Sequence, residues 1–250
     1  MNTPKTLCLA LSDFNIEPFA GYLRHVETDP HCEVIVAPFG QITPALLDIC
    51  SGTDANNYDA VIIWTQPEAV ILAYCALVRY ESVPDSAIAS EVHAFAELIL
   101  NAAQKIKRLF VVTWSQPHFR RGLGIWSMRP EGSAMMLMKM NLDLCERLSR
   151  QPNVYVLNPG AWLASAGSKA YNAKLWYLAK IPFSPEVFEA AALDVKATLQ
   201  AIGGHSRKLI VVDLDDTLWG GVVGEAGWEN LRFGGHAPIG EAFADFQKNL

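Results

Sequence analysis

The sequence predicts an α/β protein: a parallel sheet covered by helices on both faces, followed by the opening of a second α/β unit. Three observations carry this expectation. Short apolar runs rich in β-branched residues recur along the first two thirds of the chain. Segments long enough for amphipathic helices lie between consecutive runs, the alternation that builds parallel sheets through crossover connections. A further apolar run, Leu209–Val212, ends at two carboxylates, Asp213 and Asp215. It reads as a buried strand whose C-terminal end lies where open α/β sheets place their ligands.

The elements follow in order. Thr6–Leu11 is the first strand, and Ser12-Asp13 closes it. Cys32–Ala37, Ala60–Trp64, Arg108–Trp114 and Asn153–Leu157 are the next four, each a short run of Val, Ile, Leu or aromatic residues. Helical patterns cover Glu17–Val26, Thr43–Ile49, Ser86–Lys107 and Ala134–Arg150. The Met- and Leu-rich stripe of the last is a core-facing surface. From Ser184 to about Ala201 the pattern is helical again, with Ser184 as N-cap and Pro185 in the first position. The run Gly203-Gly204-His205-Ser206-Arg207-Lys208 then breaks the periodicity as a linker does. The organisation expected is a domain over 1–183, a connecting helix and linker over 184–207, and the start of a second domain over 208–250.

Composition narrows the function classes. Across 250 residues, 51% are hydrophobic and 18% charged, which is enough for a substantial core. A formal net charge of −6 and the lack of a basic, aromatic-interleaved cluster argue against nucleic acid and anionic membranes as partners. The cysteines Cys8, Cys32, Cys50, Cys75 and Cys145 are scattered without ligand-like spacing, as reduced core residues are. The apolar run after Lys5 is too short for a signal peptide, and no run approaches a membrane span. The expectation is a soluble, cytoplasmic protein.

The chemistry sits in Leu209-Ile-Val-Val-Asp213-Leu-Asp215-Asp216-Thr217-Leu-Trp219. Paired carboxylates two residues apart at a strand end suit phosphoryl transfer through an aspartyl-phosphate. Asp213 attacks phosphorus, Mg²⁺ cancels the repulsion between carboxylate and phosphate, and Asp215 shuttles a proton. The alternative reading of the same residues is a surface acidic turn after a core strand. The context that follows is Trp219-Gly220-Gly221-Val222-Val223-Gly224-Glu225, and then Pro238-Ile239-Gly240-Glu241-Ala242-Phe243. These stretches resemble the FkbH-like branch of the haloacid-dehalogenase (HAD) superfamily, which carries a DLDNTLWGGVIGE-type signature and a GEAF-type helix. Asp216 stands where that branch usually has Asn, and the segment Leu175–Pro185 resembles its linker region.

The resemblance implies a Mg²⁺-dependent phosphatase or phosphoryl/acyl transferase. Asp213 and Asp215 would be both the catalytic pair and the metal ligands, Asp215 through its main-chain carbonyl. Thr217, Gly220 and Gly221 would contact substrate. It further implies a glycolytic acyl phosphate, 1,3-bisphosphoglycerate, as substrate and the phosphopantetheine thiol of an acyl carrier protein as glyceryl acceptor, in polyketide or surface-polysaccharide biosynthesis. The phosphate-holding Ser or Thr, the Lys and the further Asp of such sites come from later strands. The chain is therefore expected to be a fragment with an unfinished site.

In FkbH-like proteins the preceding region resembles an SGNH hydrolase, a flavodoxin-like α/β fold. Ser12 stands where such hydrolases keep their nucleophile, and His118, on the run Trp114-Ser115-Gln116-Pro117-His118, is the one histidine placed to approach it. No D-x-x-H is present, and Trp64-Thr65-Gln66-Pro67 lacks the Gly-x-Asn of active members. Ser12 as a turn cap, Asn141 and Asn158 as loop-holding amides, and the whole domain as a docking module are the alternatives to an esterase or acyltransferase.

Overall fold

The computed structural model describes residues 5–25, 29–53, 57–116, 124–204, 209–234 and 237–250. The chain divides into two compact units, Met1–Gly203 and Gly204–Leu250.

The first unit is a five-stranded sheet of β1 (Thr6–Ser12), β2 (Cys32–Val36), β3 (Ala60–Trp64), β4 (Leu109–Val112) and β5 (Val154–Leu157). All neighbours are parallel, in the order β2-β1-β3-β4-β5. This is the flavodoxin-like order, with its topological switch between β1 and β3. The register sets Cys8 of β1 opposite Ala60 of β3, and Thr6 opposite Cys32 of β2. Around the sheet run α1 (Glu17–His25), α2 (Ile42–Ser51), α3 (Pro67–Val70), α4 (Leu72–Leu77), α5 (Asp85–Ala103), α6 (Ser133–Leu148), α7 (Gly160–Ala166), α8 (Ala173–Ala179) and α9 (Pro185–Ile202).

Strand side chains alternate between faces, so each strand feeds two cores. On one face Leu9, Leu11, Val61, Ile63, Leu109 and Val111 pack with buried residues of α2, α4, α5 and α6. On the other, Ala10, Ile62, Trp64, Phe110 and Val112 pack with those of α1, α7 and α9. At the centre of the second core Trp64 lies 5.1–5.7 Å, ring centre to ring centre, from Phe14, Phe19, Trp162, Phe183 and Phe188. Strand β3 is buried along its whole length, which accounts for its unbroken apolar sequence.

Two expectations are corrected here. The helix read as a connector, α9, belongs to the core of the first unit: Val187, Phe188, Ala191, Ala192, Val195 and Leu199 are all buried against the sheet. Their i, i+3/i+4 spacing makes the apolar stripe that requires a partner surface. Ser184 does hold the N-cap position before Pro185, but its hydroxyl makes no cap hydrogen bond. The second correction concerns Leu209–Val212, which forms no strand ladder. Leu209, Ile210 and Val211 are 77%, 65% and 86% exposed. A strand is held by hydrogen bonds to neighbours. The described residues of the second unit offer only isolated bridges, Asp215 with Trp219 and Gly220 with Arg232.

The second unit consists of the acidic loop, α10 (Val223–Ala226), a 3₁₀ turn at Trp228–Asn230 and α11 (Pro238–Lys248). Pro238 sits in the first turn of α11, where its missing N–H costs no helical bond. Gly234 and Gly240 meet backbone to backbone: a Cβ on Gly240 would come within 2.9 Å of the Gly234 nitrogen.

Candidate functional site

The acidic loop is built by its own side chains. The Leu214 carbonyl accepts the Thr217 and Leu218 N–H groups at 3.3 and 2.9 Å, winding the chain into a tight turn right after Asp213. Asp216 then adopts φ +51°, the left-handed region that Asp and Asn tolerate best among residues with a side chain. Its Oδ1 accepts the Gly221 N–H at 2.6 Å, five residues on, and closes the loop. Asp215 is the most tied of the three carboxylates. Its Oδ1 accepts both the Trp219 indole Nε1–H at 3.1 Å and the Val223 N–H at 3.3 Å. Asp213 is exposed, and its Oδ1 accepts the adjacent Leu214 N–H at 2.8 Å.

Thr217 and Asp216 line an open, mainly apolar depression of about 420 Å³ with Ile239, Ala242, Phe243 and Phe246 of α11. The Gln247 side-chain amide donates to the Leu218 carbonyl, a second tie between loop and helix. Gly220 exchanges both backbone hydrogen bonds with Arg232, and a Cβ on it would lie 2.9 Å from the Phe243 ring. Gly221 has φ +110°, a conformation side chains disfavour. The N–H groups of Gly220 and Gly221, the two glycines expected to contact substrate, donate to Arg232 O and Asp216 Oδ1. Both positions also give the backbone room to turn.

The donor set of this loop is oxygen alone. Among the described residues no three His, Cys, Asp or Glu side chains converge on one point. Mg²⁺ needs fewer from protein: one or two carboxylates hold it while water and substrate phosphate complete its octahedron. Asp213 fits that requirement with its carboxylate and Asp215 with its main-chain carbonyl oxygen, both hard oxygen donors.

In the first unit, the rim formed by the C-terminal strand ends is closed by hydrogen bonds. Ser12 is buried, and its Oγ accepts the Phe14 N–H at 3.1 Å, a turn cap. Asn15, which sequence reading passed over, turns the chain into α1 by accepting the Glu17 N–H at 3.2 Å. His118 lies outside the described residues. Asn141 holds both the N–H and the carbonyl of Trp114, at 2.9 and 2.8 Å, and Asn158 accepts the Gly160 N–H at 2.9 Å. Both amides hold loop backbone.

The group that sequence reading missed on this rim is Asp13. Its Oδ1 accepts the Gln66 N–H at 2.7 Å, joining the loops after β1 and β3 across the switch point. Burial pushes its carboxyl up to about 7, against the pull of the Gln66 hydrogen bond and with the Glu68 carboxylate adding to the rise. Cys8 and Cys32 are both buried; the neighbouring Cys32 thiol and burial raise Cys8, while the Cys8 hydrogen bond lowers Cys32.

No family model matches this chain, and no curated protein does. Among solved structures it is similar to the N-terminal part of the protein BF1531 from Bacteroides fragilis, described as containing a phosphatase domain complexed with Mg. The TM-score is 0.80 at 22% identity, over 98% of this chain and 65% of that one. The chain thus spans less than two thirds of that structure's length. It is also similar to the lipase Lip_vut3 from a goat rumen metagenome, with a TM-score of 0.50 at 10% identity over 77% of this chain and 96% of that one. At these identities the likeness establishes the fold, a five-stranded parallel α/β sheet with helices on both faces. Among the described residues no helix is long and apolar enough to cross a membrane.

Proposed function

We propose that this chain carries the nucleophile loop of a Mg²⁺-dependent, HAD-type phosphatase–transferase of the FkbH-like kind, with the first unit as its SGNH-like partner domain. One observation carries the reading: Asp213, Asp215 and Thr217 share a loop closed on itself by Asp215 and Asp216, with Asp213 left at the surface. The fold likeness to a structure described as a phosphatase domain with Mg supports it.

Asp213 attacks phosphorus in line, so that an Asp213 O–P bond forms as the bond to the leaving oxygen breaks. Asp215 gives its proton to that oxygen. It then takes one from the water that hydrolyses the aspartyl-phosphate, which restores both carboxylates and releases inorganic phosphate. Bound Mg²⁺ supplies charge neutralisation between the carboxylate of Asp213 and the phosphate it approaches. Asp213 and Asp215 are the residues that would hold it.

The substrate proposed is 1,3-bisphosphoglycerate and the acceptor the phosphopantetheine thiol of an acyl carrier protein. The bond accounting is consistent with a two-centre protein. Thiol attack at the acyl carbon forms the thioester as the C–O bond to the 1-phosphate breaks, inorganic phosphate leaves with the thiol proton, and the remaining 3-phosphate ester falls to Asp213. A cytoplasmic setting in polyketide or surface-polysaccharide biosynthesis is part of the same proposal. The test is phosphate release, with Mg²⁺ present, by the longest natural form of the protein and by its Asp213→Asn variant. The reading requires the variant to be inactive; a variant that turns over at the wild-type rate removes Asp213 as nucleophile. The alternative is an esterase or acyltransferase at Ser12, whose hydroxyl accepts the Phe14 N–H and keeps its own O–H.

A further inference from the structure

We infer that Trp219 is a positioning residue for Asp215, an assignment that rests on the phosphoryl-transfer reading above. Among the described residues the hydrogen bonds to the Asp215 side chain fall on one oxygen, Oδ1: the Trp219 indole at 3.1 Å and the Val223 N–H at 3.3 Å. The two donors come from the same oxygen's own loop, four and eight residues downstream. Together they fix the carboxylate plane, and among the described residues no hydrogen bond falls on Oδ2. A proton shuttle must present one oxygen to two partners in turn, the leaving oxygen and then the attacking water. A freely rotating carboxylate would do this slowly.

The indole is itself held. Its ring lies 5.6 Å from that of Phe233, and the backbone of Trp219 bridges to Asp215. Gly220, the next residue, is locked to Arg232 by two hydrogen bonds at 3.1 and 2.9 Å. The ring is thus braced on one side, with its N–H aimed at the carboxylate on the other. Packing alone would place no demand on the indole nitrogen; any aromatic residue would meet Phe233. Aligning a donor with Asp215 is a demand that only a ring with an N–H meets.

The two roles separate in Trp219→Phe, which keeps an aromatic ring and removes the donor. In the phosphate-release assay with Mg²⁺, Trp219→Phe is expected to lose about ten- to a hundredfold in kcat with KM within about twofold, as misplacement of a reacting group does. A Trp219→Phe variant indistinguishable from wild type, with Trp219→Ala impaired, would make the residue a packing element and overturn the inference. A second readout needs no turnover. In a ¹H–¹⁵N spectrum, the indole resonance that disappears in Trp219→Phe identifies itself. It should shift, and exchange faster with solvent, in Asp215→Ala but not in Asp213→Ala. An indole signal indifferent to Asp215→Ala refutes the hydrogen bond. If wild type releases no phosphate at all, the phosphoryl-transfer reading fails, and the indole signal alone then decides whether Trp219 holds Asp215.

Discussion

Replacing Asp13 with Asn should stabilise the first unit at neutral and alkaline pH and do little in acid. The carboxyl is enclosed at the switch point, and its ordinary value of 3.8 rises to about 7, first through burial and further through Glu68. A folded chain that holds this proton more tightly than the unfolded chain is most stable below about pH 4. It loses that stability as pH rises through about 7. At about 1.4 kcal/mol per pH unit, charging Asp13 in the folded state costs up to about 4 kcal/mol more than in the unfolded state. Relaxation of the rim lowers that, so about 2–4 kcal/mol is the range to expect. Asn keeps the oxygen that accepts the Gln66 N–H at 2.7 Å and never ionises. Urea unfolding of both forms, followed by near-ultraviolet circular dichroism of the Trp64 cluster at several pH values between 4 and 9, measures the difference. The variant's advantage should grow from pH 4 to 7 and then level off. An advantage that does not change with pH would mean that Asp13 ionises without penalty. A variant less stable at pH 8 would refute the burial argument outright.

Other perturbations follow from the same geometry. Trp64→Ala empties the centre of the aromatic core and should cost about 3–5 kcal/mol in the same unfolding assay; a loss under 1 kcal/mol would mean that the five surrounding rings collapse into the space. Gly220→Ala puts a methyl group 2.9 Å from Phe243 and 3.3 Å from Arg232, and should destabilise the second unit by about 1–3 kcal/mol, read by hydrogen exchange at the Gly220 and Arg232 amides. Asp216→Val removes the acceptor of the Gly221 N–H and places a β-branched residue at φ +51°, so the Gly221 amide should lose its protection, whereas Asp216→Asn should keep most of it.

The strands were legible because burial on both faces leaves a chemical trace, an unbroken β-branched run. Ala60–Trp64 was read to the residue for that reason. The same rule misled at Leu209–Val212. A strand-like sequence states what the segment would bury, and pairing also needs neighbours that the described residues of its unit do not provide. Helices α3, α4, α7 and α8 were missed because four to seven residues carry too few turns for a periodic signal. One cue was present at α8: Asn172, whose Oδ1 accepts the Leu175 N–H at 3.0 Å. The apolar stripe of α9, Val187, Phe188, Ala191, Ala192, Val195 and Leu199, is present in its sequence and marks a packed helix where a connector was expected.

At the acidic loop, residue types and spacing pointed to Asp213, Asp215 and Thr217, but not to how the loop closes. That Trp219 donates to Asp215, and that Asp216 takes φ +51° and accepts from Gly221, are facts of geometry between residues four and five apart in a turn with no repeating pattern. Asp13 was invisible for a different reason. Its character comes from the packing of loops after β1 and β3, which lie 53 residues apart in sequence.

The central claim is that Asp213 forms a covalent bond to phosphorus. The most direct measurement is acid quenching of the protein during exposure to 1,3-bisphosphoglycerate and Mg²⁺, followed by peptide mass spectrometry. The account predicts one added phosphoryl group on the peptide containing Asp213, removed by hydroxylamine and absent in Asp213→Asn. Phosphate released by the wild type with that peptide never modified, or modification elsewhere that survives Asp213→Asn, would contradict it.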